Sequence, residues 1–392
     1  MTRQPDNNIT YFACTNHRNS NTLFGIKQSD RLSHMYLIGK TGTGKSTLIE
    51  TMIHQDIERA EGFALIDPHG DLVKRIAAGI PEHRRSDVIY FNVPDRTQPY
   101  GYNPLRRVNA ELRPLAASGM LEVLKKTWDA RSWGVRMEHI LRNALLALLD
   151  QEKATLPDIL RLLTDKFFRT QVINSVENPQ VKAFWTKEYS NYSPRLRADA
   201  IAPIQNKVGA FLADPRLFRI LTAPERPIHI RRIMDEGKIL LVNLAKGELG
   251  EDSANLLGGL LVTTIGLAAF SRANMAERDR RRFWLYVDEF QNFTTLSLAT
   301  MLSELRKFRV GVVLAHQYLS QLEPDIRSAV LGNAGTLISF RLGGEDAAFI
   351  ARELGPRFEA NDLLGLPNYH IYLKLMIDGM PSQSFSATTL AP

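Results

Sequence analysis

A chain of 392 residues with 44% hydrophobic content can bury a large core and form about two or three domains, which excludes a disordered or fibrous polypeptide. Forty-nine Lys and Arg residues against forty-two Asp and Glu give a net charge of +7, a modest bias towards polyanionic partners, nucleic acid first. One cysteine, Cys14, excludes an intrachain disulfide framework and suits a reducing cytoplasm.

Residues 1–30 are polar and asparagine-rich, without the apolar core of a signal peptide. They read as an extended segment anchored by Tyr11, Phe12, Leu23, Phe24 and Ile26, packing on a sheet edge or beside a nucleotide base. Next an apolar strand, Met35 to Ile38, runs into G-x-x-x-x-G-K-[ST] from Gly39 to Ser46 and then into a helix from Ser46 to about Ala60. That is a P-loop in its required context. Gly39, Gly42 and Gly44 are expected to take positive φ, so that backbone N–H groups converge on phosphate oxygens at the helix's positive end. Gly39, Thr41, Gly42, Thr43, Gly44, Lys45, Ser46 and Thr47 form the expected phosphate cradle. Lys45 reaches the β and γ phosphates, and Ser46 ligates Mg²⁺.

The strand Gly62 to Ile66 is apolar throughout, as in a parallel sheet. Asp67 follows at its carboxyl end, as a site residue or a turn former, and Asp71 reads as the N-cap of the next helix. His69 has no Cys/His cluster around it and reads as a turn residue. A third strand is expected at Val88 to Val93.

Residues 105–230 change character. Helical periodicity marks Met120–Trp128, Arg136–Leu149, Leu156–Thr164 and Arg195–Leu212, with seven prolines from Pro157 to Pro227 punctuating the region. This is expected to be an all-α domain inserted between two parts of a sheet domain, 31–104 and 231–392. Its first part carries Arg106, Arg107, Arg113, Lys125, Lys126, Arg131 and Arg136 around Trp128 and Trp133. That run reads as a DNA-facing surface or as a solvated helical face.

The sheet resumes at Lys238–Leu244. A helix from Ser253 to Arg272, apolar all round, is expected to be buried over the sheet; its apolar run, Leu256 to Phe270, is too short to span a bilayer. Arg278, Arg280, Arg281 and Arg282 read as a solvated loop. The strand Phe283–Val287 then ends in Asp288 and Glu289, matching a Walker B strand: Asp288 in the Mg²⁺ shell, Glu289 polarising the attacking water. A helix, Leu296–Phe308, leads to a strand closing on Gln317, placed to sense the γ phosphate. The next strand, Thr336–Arg341, ends in Arg341, either an intersubunit arginine finger or a surface cation. A C-terminal hairpin turns at Asp378-Gly379.

With these landmarks in place the chain resembles the HerA and FtsK superfamily of RecA-like ring ATPases, and within it the type IV coupling proteins of conjugation, the TraG and TraD type. The matching stretches are HMYLIGKTGTGKSTL (34–48), IDPHGDLV (66–73), YGYNPL (100–105), LLVNLAKGELGEDSANLLG (240–258), LYVDEFQNF (285–293), ELRKFRVGVVLAHQYLSQL (304–322) and GNAGTLISFRLGGEDA (332–347). The resemblance implies an α/β fold, a RecA-like P-loop ATPase with a mostly parallel central sheet and an inserted all-α domain. It also implies a homohexameric motor that threads DNA through a central channel using ATP and Mg²⁺. By the same resemblance Lys45, Ser46, Asp288, Glu289 and Gln317 fill the Walker A, Walker B and sensor positions, and Arg306 is the first candidate for the finger acting in trans, Arg341 the second. Coupling proteins usually carry an N-terminal membrane anchor, and this chain starts only about thirty-five residues before its P-loop. The expectation is therefore a cytoplasmic protein that docks peripherally on a separate inner-membrane or secretion-channel partner. The alternatives are a DNA-processing or defence translocase working with a nuclease, and an ATP-gated adaptor that recruits substrates to a secretion channel.

Overall fold

The computed structural model describes residues 6–106, 108–128, 133–222 and 226–391; Arg107, Arg131 and Pro224 lie outside them. The chain divides into two compact units, Met1–Tyr90 with Arg231–Leu244 and Arg272–Pro392, and Phe91–Ile230 with Ala245–Ser271.

The first unit is built on a sheet whose strands in chain order are β1 (Ile9–Thr15), β2 (Leu23–Lys27), β3 (Met35–Ile38), β4 (Gly62–Asp67), β5 (Val88–Asn92), β6 (Ile239–Asn243), β7 (Phe283–Val287), β8 (Val310–His316), β9 (Thr336–Ser339), β10 (His370–Lys374) and β11 (Phe385–Thr389). Their order in space is β2-β1-β11-β10-β9-β3-β8-β7-β4-β6-β5. The run β9-β3-β8-β7-β4-β6 is parallel, and its strands are buried along their whole length. This explains why they read as unbroken apolar runs instead of alternating ones. At the far edge β10, β11, β1 and β2 pair antiparallel, so residues 9–27 extend the sheet edge. Phe12 is fully buried and meets Phe24 edge-on, which meets Phe385 in turn.

Helix α1 (Lys45–Glu58) follows β3, and α2 (Asp71–Ala78) follows β4. Beneath them lies a buried ion pair. Arg31 makes two bonds to Asp56, 2.7 and 2.8 Å, and its guanidinium stacks 3.9 Å from the Trp284 ring centroid. This ties the chain entering β3 to α1 and β7. The C-terminal hairpin turns at Asp378 and Gly379, both at positive φ as a two-residue hairpin requires. Asp30 accepts both of their N–H groups at 2.9 Å.

The second unit is helical: α3 (Arg113–Thr127), α4 (Val135–Leu149), α5 (Asp158–Thr164), α6 (Lys166–Ser175), α7 (Pro194–Leu212) and α8 (Glu251–Phe270). Helix α8, expected over the sheet, instead belongs to this unit and packs along α3. Gly119 and Gly259 let the two helices close up, since a Cβ on either would stand 2.6 Å from Thr263 or 2.8 Å from Val123. Together with residues 271–274 this helix is long and apolar enough to cross a membrane, contrary to the reading from its apolar run, but 72% of its apolar window is buried inside the protein.

Two basic stretches gain partners. The 278–282 loop faces solvent as expected, with the Arg278 side chain 88% exposed, but its other arginines are held. Arg281 donates to the carbonyls of Glu236 and Ala60, Arg280 to those of Arg272, Met275 and Lys307, and Arg282 pairs with Glu61 at 2.6 Å, pinning the approach to β7. Two cations of the basic run in the helical unit have acidic partners: Arg113 contacts Asp150 at 2.6 Å and Glu177 at 3.0 Å, and Lys125 lies 3.8 Å from Glu138. Trp128 and Trp133 pack on each other, with Trp133 donating to Glu138.

Candidate nucleotide site

The parallel register assembles the site. Strand β8 lies between β3 and β7, with His316 beside Ile38 and Leu314 beside Val287. Ile66 is level with Val287. The carboxyl ends of β3, β4, β7 and β8 therefore share one sheet edge, and the P-loop, Asp67, Asp288, Glu289 and Gln317 emerge there.

The loop from Gly39 to Gly44 has positive φ at Gly42 (75°) and Gly44 (121°). Gly39, expected to join them, does not; its glycine is needed because a Cβ would stand 2.5 Å from Phe340 Cβ. A Cβ at Gly44 would press on the Tyr369 ring, 2.9 Å away, and Tyr369 N–H donates to Thr43 O at 2.8 Å. Thr43 Oγ1 donates to Lys40 O. Lys45 Nζ folds over the loop, donating to Gly39 O at 2.5 Å and Lys40 O at 3.2 Å. Thr41 is exposed, Ser46 and Thr47 half-buried.

Charge at this edge is concentrated and desolvated. Burial, with Glu289 and Asp67 close by, pushes the Asp288 carboxyl up to about 7 against the pull of Lys45 and the Glu289 N–H. Burial lowers Lys45, opposed by Glu289 and Asp288. Ser46 Oγ donates to Asp288 Oδ2 over 3.4 Å. A divalent cation fits here: it would stabilise the ionised Asp288 beside two other acids, with Ser46 as a second oxygen ligand. No group of three or more His, Cys, Asp or Glu forms a metal cage among the described residues, as expected where an ion completes its shell with phosphate oxygens and water.

Glu289 adopts the left-handed conformation (φ 47°), an unusual state for a residue with a side chain and one that clusters at functional sites. Both its carboxylate oxygens are held by amides: Gln317 Nε2 donates to Oε1 at 2.8 Å and Gln291 Nε2 to Oε2 at 2.7 Å. Gln291 was not singled out from the sequence; its place two residues after Glu289, in DEFQ, was the available signal. Behind Gln317, Tyr36 Oη lies 3.1 Å from His316 Nδ1, and burial with nearby Lys45 holds His316 down to about 3, hence neutral.

The remaining acids and cations sort differently. Asp67 accepts from the N–H groups of His69, Leu72 and Val73 at 2.8–3.1 Å. It therefore does the capping of α2 that Asp71 was expected to do; Asp71 is helical and Gly70 is the N-cap. Arg341 is engaged within its own chain, donating to Leu366 O and Asn368 Oδ1. Arg306 donates to Ser33 Oγ at the amino ends of β3 and β8, the opposite sheet edge from the P-loop. Neither arginine joins the cluster around Lys45.

Residues 22–357 match a family profile described as the type IV secretion-system coupling protein DNA-binding domain. No curated protein matches the chain. Among solved structures it is similar to the bacterial conjugative coupling protein TrwBdeltaN70 (TM-score 0.69, 17% identity, covering 100% of this chain and 89% of that one). It is similar also to plasmid coupling protein TrwB in complex with ADP and Mg²⁺ (0.67, 16%, 100% and 91%) and to VirB4 of Thermoanaerobacter pseudethanolicus (0.63, 13%, 97% and 96%). These likenesses establish the RecA-like fold with its all-α part. With the profile covering most of its length, the chain belongs to the family of type IV secretion-system coupling protein DNA-binding domains.

Proposed function

We propose that this protein is a Mg²⁺-dependent ATPase that assembles as a ring, a hexamer, and moves DNA through it by hydrolysing ATP at sites completed by a neighbouring subunit. The observation that carries this reading is the meeting of Lys45, Ser46, Asp288 and Glu289 at one sheet edge, with the Ser46–Asp288 contact already made. The complex of the related coupling protein with ADP and Mg²⁺ supports the same ligands here.

Lys45 Nζ exchanges its two carbonyl partners for β and γ phosphate oxygens, joined by the loop N–H groups up to Thr47. Ser46 Oγ and Asp288 would hold Mg²⁺, whose charge would offset that of the phosphate oxygens. Glu289 orients and deprotonates the attacking water. For that, one of its two amide donors must turn away, and Gln317, in the sensor position by resemblance, is the one that bonds the γ phosphate instead. Hydrolysis at each site is then slow until a neighbour supplies a cation, an effect of about 10³ to 10⁵ in rate for such fingers. Arg306, lying away from its own P-loop, is the first candidate, and Arg341, once released from Leu366 and Asn368, the second.

Hydrolysis measured against protein concentration, with and without DNA, tests the proposal. Turnover per subunit is expected to rise with assembly and again with DNA; turnover flat in both series would overturn the shared site.

A further inference from the structure

Within the helical unit, α6, the segment 184–191 and the start of α7 enclose a cleft of about 400 Å³, in the size range of sites for small organic ligands. Lys166, Arg169 and Arg197 line it, and none of its lining residues is acidic.

Two of these cations are fixed in place. Arg169 donates to the carbonyls of Leu162 and Leu163 at the end of α5, and Arg197 to those of Tyr189, Ser190 and Tyr192. Carbonyl partners orient a guanidinium without cancelling its charge. The two flank the buried Tyr189 ring, 5.3 and 5.1 Å from its centroid, close enough that Arg197 helps depress Arg169, whose pKa burial already lowers. Arg197 Nε is buried with no hydrogen-bond partner. Asp165 caps α6 through the N–H groups of Phe167 and Phe168 and acts on Arg169 less than Tyr189 and Arg197 do.

The wall between these cations is a single π-helical turn, Phe184–Glu188, a distortion frequent at functional sites. It places Trp185 and Thr186 on the cleft, with Tyr189 and Ser190 following. Trp185 and Tyr189 are themselves buried, 3% and 1% exposed, so the cleft presents mainly hydroxyl groups and arginine and lysine charge, which suit a phosphate ester. Arginine favours phosphate through its planar fork of donors, and the enclosed volume admits one nucleotide but not a duplex.

We propose that this cleft binds a nucleotide unit of single-stranded nucleic acid, its phosphate between Lys166, Arg169 and Arg197 and its base beside the exposed Thr186 and Ser190. The site deepens the DNA-handling reading above and rests on it for the identity of the polymer. Its test reads binding without hydrolysis, so the two can fail separately.

The test uses the whole chain with EDTA and no ATP. A short oligothymidylate carrying one 5-iodouridine is photocrosslinked and the adducts are mapped by mass spectrometry; anisotropy of the fluorescein-labelled strand gives affinity. Adducts are expected within residues 185–190, suppressed by unlabelled single strand, weakly by duplex, and by thymidine monophosphate only at much higher concentration. K166E and S190E, both at exposed positions, should lose these adducts and weaken binding about tenfold, with a salt slope reduced by about one. Adducts only elsewhere, or undiminished adducts in both variants with native circular dichroism, would overturn the site. Competition by duplex equal to that of single strand would overturn the single-strand assignment, and thymidine monophosphate competing equally would replace the polymer with a free nucleotide. Displacement by polyglutamate as readily as by the oligonucleotide would replace nucleic acid with an acidic polypeptide.

Discussion

The protein holds two charged sites of opposite design. At the sheet edge, Lys45 is buried with Asp288 and Glu289, so opposite charges face each other out of water and each carries a displaced or strained state: a lowered ammonium, a carboxyl raised to about 7, a glutamate at positive φ. In the helical cleft, Lys166, Arg169 and Arg197 are of one sign and none is fully buried. The first arrangement suits chemistry on a small, highly charged ligand, since desolvated charges act strongly at short range. The second suits reversible capture of a polyanion, where the gain comes from neutralised phosphates and released counterions.

The sharpest way to break this comparison is Lys45→Ala. ATP turnover should fall at least about 10³-fold, while oligonucleotide binding in EDTA should be unchanged; joint loss would mean that the sites are one. Glu289→Gln should slow hydrolysis about 10²- to 10³-fold with ATP still bound, read by filter binding beside single-turnover rates. Fast hydrolysis by that variant would remove Glu289 from its role. Gln317→Leu and Gln291→Leu separate the two amides. Each loses a hydrogen bond to a charged group, and a drop of about five- to fiftyfold in turnover is expected, but only Gln317→Leu should also weaken discrimination between ATP and ADP. Salt offers a milder probe: between low and physiological ionic strength, strand binding should fall steeply and ATP turnover much less.

The smallest effect concerns stability and pH. Burial lowers His34 to about 4; its Nδ1 accepts from Val312 N–H, so its Nε2–H donates to Leu302 O. The unfolded chain binds this proton near pH 6.5 and the folded one only near 4, so stability is full above about 6.5 and is lost as pH falls towards 4, by about 3 kcal/mol for one such group. Asp288, raised to about 7, contributes a slope of opposite sign over the same window, so thermal unfolding should show the His34 contribution as a difference in slope between the wild type and His34→Asn. A residual slope is expected from His316, which burial lowers in the same sense.

Much of this was legible because it is local. The P-loop, the paired carboxylates and the C-terminal turn each depend on neighbours within a few positions. Where the readings failed, longer contacts had decided. The basic run 106–136 left a DNA-facing and a solvated face both open because sequence shows charge but not partners, and Asp150, Glu177 and Glu138 pair with Arg113 and Lys125. Arg169 and Arg197 drew no notice because the residues between them hide their proximity, which is made by a π turn and a shared tyrosine. Asp71 gave way to Asp67 because a carboxylate at a strand end can reach over the turn to the first N–H groups of the helix.

The sequence by itself determined that a phosphate-binding loop exists and that an acidic strand end exists, since backbone freedom at Gly42 and Gly44 and a run of apolar residues before two carboxylates are properties of short segments. That β8 lies between β3 and β7, that Gln291 and Gln317 share one glutamate, and that α8 joins the helical unit were decided only by the tertiary structure. Strand order and helix partners depend on which surfaces bury best together, and that competition is settled among residues far apart in the chain, as Gly119 and Gly259 or β3 and β8 are.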